Sequence, residues 1–130
     1  MIDAVVIAFI IMLAGAFLYF AYLKRKKRHL PAAVRMRLRT QWKKLSLLQD
    51  DHRRILEAEK IIEHALTTLG YRGTFADKLK AAGPRFSSVQ SLWDAHKLRN
   101  RIAHEVGVNV SPKDAGRAVA AFERALRDLE

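Results

Sequence analysis

Apolar residues are spaced in two different ways along this chain. From Ala4 to Leu23 they run without interruption by any charge, over 20 residues. That is the length an α-helix needs to cross the hydrocarbon core of a bilayer. From Pro31 onward they recur every three or four positions, the period of helices with one buried face. Val34, Leu38, Trp42, Leu45 and Leu48 make the first such stripe, over residues 31–49. Asp50 and Asp51 can cap a second helix, with Ile55, Ala58, Ile62, Ala65, Leu66 and Leu69 on its inner face and Gly70 as its stop. Thr74 with Asp77 opens a short helix, Phe75 to Ala82, closed by Gly83-Pro84. Ser87 or Ser88 opens a fourth, running to about Val106-Gly107, with Leu92, Ala95, Leu98, Ile102 and Val106 on one face. Ser111-Pro112-Lys113-Asp114 is a strong helix start, and Ala115, Val119, Phe122, Ala125, Leu126 and Leu129 give that last helix its apolar side. No stretch alternates at the period of a strand. The pattern predicts an all-α protein: one transmembrane helix, then a cytoplasmic bundle of four to five helices.

Charge divides the chain in the same places. The formal balance is +11 over 130 residues, but residues 1–54 hold +9 of it and residues 55–130 only +2. Lys24-Arg25-Lys26-Lys27-Arg28 follows the apolar run directly, while Asp3 is the one charge before it. Positive charge on the C-terminal side predicts an uncleaved single-span anchor in the plasma (inner) membrane, N-terminus outside and the rest cytoplasmic. Tyr19, Phe20 and Tyr22 fall where an interfacial aromatic belt belongs. Three segments result: 1–29, an anchor with its basic stop; 30–50, a basic juxtamembrane amphipathic helix; and 51–130, the bundle. The stripe of 31–49 has three open readings. It can lie on anionic lipid head groups, pack on the helices that follow, or hold RNA phosphates with its arginines and lysines.

Several chemistries are excluded or unsupported. The chain has no cysteine, so no disulfide framework or thiolate metal site is available. Glu63 and His64 read as surface or edge positions, since neither repeats at metal-ligand spacing with another donor, and the glycines are too scattered for a phosphate-cradling loop. No cofactor is expected.

The stretch from Leu92 to Glu105 contains the anomaly. Asp94, Lys97, Arg101 and Glu105 form an ordinary solvated face, but Arg99 projects into the apolar sector between Leu92 and Val106. His96, Asn100 and His104 follow at i, i+4 and i+8 along its flank. A guanidinium in such a place is costly unless it is paired. The partner can be an internal carboxylate, for which Glu59 is a candidate, a second copy of the chain, or a phosphate-bearing ligand. The alternative is an arginine that packs its methylenes and carries its charge to the rim.

Arg99-Asn100, three residues, then His104 resembles the motif of HEPN domains, over roughly Asp51 to Leu129. The resemblance implies a small helical bundle that dimerises and brings two motifs to one cleft. In catalytic members of that family the bundle is a metal-independent ribonuclease; other relatives are non-catalytic. It implies His104 as general base or acid, Arg99 holding the scissile phosphate, and Asn100 orienting either group. His96 and Glu59 would support them. The partners expected are the lipid bilayer, a second copy of the chain and RNA. The competing expectation is a membrane-tethered dimerisation or scaffold module without catalysis.

Overall fold

The computed structural model describes residues 1, 3–26 and 28–130, with only the backbone of Arg25 and Lys26. Lys27, the fourth residue of the expected basic cluster, lies outside the described residues. Among the described residues six α-helices follow in order: α1 (Ala4–Lys26), α2 (Ala32–Ser46), α3 (Asp51–Thr68), α4 (Phe75–Ala82), α5 (Val89–His104) and α6 (Pro112–Leu129). A 3-10 turn, Gly83–Arg85, follows α4. No strand occurs among the described residues.

α1 is long and apolar enough to cross a membrane over Ala4–Lys24, and none of that stretch is buried against the rest of the protein. Its 23 residues give a rod of about 34 Å. Exposed Phe9, Phe17 and Phe20 cost heavily in water and nothing in hydrocarbon.

The bundle is built on α3. This helix packs against α2, α4, α5 and α6, which makes it the central post. Its start is fixed by the Asp50 side chain accepting from the Arg53 amide at 3.2 Å. At its other end Gly70 takes φ +94, so that the Tyr71 amide can bond back to the Leu66 carbonyl. The expected inner face of α3 is buried throughout. Thr74 and Asp77 form a reciprocal capping box on α4, and the Ser111 hydroxyl accepts from the Asp114 amide at the head of α6. The expected face of α6 is likewise buried, with Phe122 wholly enclosed.

Of the three readings of residues 31–49, packing is what the structure displays. Leu38 and Leu45 lie in the same core as α3, α5 and α6, with Val34 and Trp42 packed against it. Arg39 grips Glu130 through two hydrogen bonds, from Nε at 2.8 Å and Nη2 at 2.6 Å, tying α2 to the chain's end. The core begins even earlier, at Leu30, two residues after Arg28. Met36, Arg37, Lys43 and Lys44 face solvent, and Arg35 is half-buried.

One expected core position is wrong. α5 ends at His104, Glu105 is already extended, and Gly107 turns the chain at φ +71. Val106 therefore leaves the helical phase and is fully exposed. The buried stripe of α5 is Leu92 and Ala95, with Leu98 and Ile102 half-buried against the core. The connector is held from the other side, where His52 Nε2 donates to the Val108 carbonyl at 2.9 Å.

Candidate functional site

Two of the residues singled out on α5, His96 and Arg99, meet α3 at one acid. Glu59 stands one turn beyond Ile55 on the inner side of α3, and only 3% of it is exposed. Across the helix–helix seam, His96 Nδ1 lies 2.8 Å from Glu59 Oε2. Arg99 Nε lies 3.1 Å from Glu59 Oε1. That second contact is an ion pair and not a hydrogen bond, because the Nε–H is not aimed at the oxygen. The two α5 side chains are three residues apart, so they project from neighbouring turns and straddle the one carboxylate.

Asn100 closes the cluster. Its Nδ2 is 3.2 Å from His96 Nε2, and its Oδ1 accepts from Arg99 Nη1 at 3.3 Å. The donor–acceptor order is self-consistent with the imidazole protonated at Nδ1. Nδ1–H then donates to Glu59, Nε2 accepts from the Asn100 amide, and the amide oxygen accepts from Arg99. His96 is further fixed by its ring neighbours, Phe75 at 4.9 Å and Trp93 edge-on at 6.0 Å.

Burial raises the Glu59 carboxyl above the ordinary glutamate value, because water is withdrawn from the charged form. The hydrogen bond from His96 and then the charge of Arg99 pull it back down, and Glu63 adds a small further rise.

No family model, curated protein or solved structure matches this chain.

Arg99 is not sealed in. Its side chain keeps 27% of its surface in solvent, against 12% for His96. Nη2 has no hydrogen-bond partner among the described residues. His104 stands one turn beyond Asn100 on the same flank, in the last residue of α5, and is exposed. It makes no hydrogen bond or ion pair among the described residues. The expected five residues thus divide into a locked set, Glu59 with His96, Arg99 and Asn100, and an outlying His104. The set can hold a guanidinium at a fixed angle at the protein surface. No metal-binding cluster exists among the described residues.

The groove between α5 and α6, about 430 Å³, lies on a different face. Asp94, Leu98, Arg101, Asp114 and Arg117 line it, and none of the five site residues does. It is the solvated side of α5 seen over a seam of small α6 residues.

One polar group escaped the sequence reading. Lys78 is buried and donates to Thr67 Oγ1 at 2.9 Å and Glu63 Oε1 at 3.2 Å. Glu63, read from the sequence as a surface or edge position, is half-exposed and is this lysine's counterion. The signal was present in the spacing, since Phe75, Lys78, Leu79 and Ala82 share one face of α4.

Proposed function

We propose that the chain is a membrane-tethered helical module of HEPN type, acting on RNA as a metal-independent endoribonuclease where two copies meet. α1 is its single span, with the N-terminus outside and the bundle in the cytoplasm. The observation that carries this reading is the pose of Arg99. Glu59 holds it at Nε and Asn100 at Nη1, while 27% of its side chain still reaches solvent; His104 is exposed further along the same helix. A planar cation held in that way suits a phosphate. RNA cleavage without metal needs a base to take the 2′-hydroxyl proton as that oxygen attacks phosphorus, a cation for the charge on the phosphorane oxygens, and an acid to protonate the 5′-oxygen as its bond to phosphorus breaks. His104 would serve as general base or acid, and Arg99 would steady the phosphorane. A single bundle offers one imidazole in that position; a dimer supplies a second.

One observation favours a second reading. Arg99 already has its counter-charge inside its own bundle. On that reading the cluster is a buried polar staple between α3 and α5, and the protein is a tethered dimerisation or scaffold module.

The deciding experiment incubates the full chain in nanodiscs with mixed RNA in EDTA, wild type against His104→Ala. The enzyme reading expects cleavage by wild type and its loss in the variant, with an unchanged helical circular dichroism spectrum. Absence of cleavage by wild type, together with loss of dimer or stability in Arg99→Ala, selects the scaffold.

A further inference from the structure

The junction of α1 with the bundle has two adjoining grooves of opposite character. The first, about 770 Å³, is apolar over Phe17, Phe20, Ala21 and Leu23 and turns cationic at Lys24 and Arg28. The second, about 330 Å³, is framed by Arg28, Leu69, Gly70, Tyr71 and Arg72. Arg28 lines both.

This shared arginine is held by the bundle. Its Nη1 donates to the Leu69 carbonyl at 3.3 Å, at the C-terminal end of α3, where exposed carbonyls favour a cation. Arg85 Nη2 donates to the Arg28 backbone carbonyl at 2.6 Å, so the turn after α4 fixes the main chain at the same point. Gly70 leaves room for this pose, because a Cβ there would meet the flexible end of Arg28, at Nη1, at 2.8 Å and push it aside. Arg72 is exposed on the same loop and has no hydrogen-bond or ion-pair partner among the described residues. An apolar channel that runs into Lys24 and Arg28, with Arg72 in the groove that Arg28 shares, has the shape and polarity of one amphiphile.

We propose that this junction binds one anionic phospholipid from the leaflet facing the bundle. An acyl chain lies along Phe17, Phe20 and Leu23, and the phosphate sits among Lys24, Arg28 and Arg72. This inference rests on the reading of α1 as a membrane span. Charge complementarity selects an anionic head group over a zwitterionic one, and contact with α3 makes the site part of the bundle, not merely of the anchor.

The test places the full chain in nanodiscs of phosphatidylcholine with stepped phosphatidylglycerol. Co-elution with pure phosphatidylcholine discs reports on the span by itself; failure there removes the span and this site together. Native mass spectrometry then counts retained phosphatidylglycerol. The expected result is one lipid per chain, with affinity lowered about fivefold in Arg72→Ala. Arg28→Ala should weaken binding by at least as much. Arg117→Ala, which removes the same charge from the α5–α6 groove, should bind as wild type does. Equal weakening in Arg72→Ala and Arg117→Ala, or no preference for phosphatidylglycerol, overturns the proposal while leaving the span intact. So does equal protection by free glycerol phosphate, which has no acyl chain.

Discussion

Glu59 and Arg99 are joined across the α3–α5 seam with 3.1 Å between carboxylate oxygen and Nε, and the acid is the more deeply buried of the two. The asymmetry decides which member the fold depends on. Arg99 released from its partner can turn to water. Glu59 released from its partners cannot. Arg99→Ala should lower the unfolding free energy by roughly 1–3 kcal/mol, less than a fully enclosed pair loses. Glu59→Ala/Arg99→Ala should recover part of that loss. A double-mutant cycle by urea denaturation should return a coupling of about 1–3 kcal/mol, and a coupling near zero would mean that the pair is incidental.

His96 and His104 should separate in the same assay. His96→Ala strips Glu59 Oε2 of its hydrogen bond, with an expected cost of about 1–3 kcal/mol. His104→Ala touches nothing packed and should stay within about 0.5 kcal/mol of wild type. A large loss for His104→Ala would show that this side chain braces the end of α5, and would spoil it as a clean probe of chemistry.

The raised Glu59 carboxyl gives a pH signature. Between the ordinary glutamate value and the raised one, the folded protein binds more protons than the unfolded chain, so its stability falls as pH rises through that window. Glu59→Gln should lack this component, which is obtained as the difference between the two denaturation series. Asp77 contributes with the opposite sign. The hydrogen bond from the Thr74 amide, and next to it the Thr74 side chain, hold its carboxyl below the usual aspartate value, so its contribution is present above that usual value. It is lost as pH falls through the lowered one. Asp77→Asn should therefore flatten the most acidic limb and leave the Glu59 window in place.

Leu38 distinguishes a packed α2 from one lying on lipid. It is fully buried, and Leu38→Ala should cost about 2–5 kcal/mol. Met36→Ala, two residues earlier on the exposed side, should cost under about 0.5 kcal/mol. Similar small losses for both would take α2 out of the core.

What the sequence made legible was local. The caps at Asp50, Thr74 and Ser111 each act over three residues, and each forms as its residue types require. The inner faces of α3 and α6 follow from period alone. The placing of Val106 failed because it depended on where α5 stops, and the helix yields at Glu105 before Val106 can join the stripe. Glu59 was a candidate partner for Arg99 because it borders an apolar face. Its bond to His96 spans 37 positions and depends on how α3 and α5 cross, which no single-helix pattern encodes. Lys78 was missed for a related reason: a lysine on an inner face looks like an interruption until its counterion on another helix is known.

Leu30 is buried so soon after the end of α1 that the tether has almost no slack. From Lys26 to Leu30 a fully stretched backbone reaches about 14 Å. With α1 in a bilayer, as proposed, the bundle would stay within about 14 Å of the surface and could not sweep the volume above it. Meetings between copies then depend on crowding within the sheet, so diluting the protein with extra lipid should thin out pairs at constant bulk concentration.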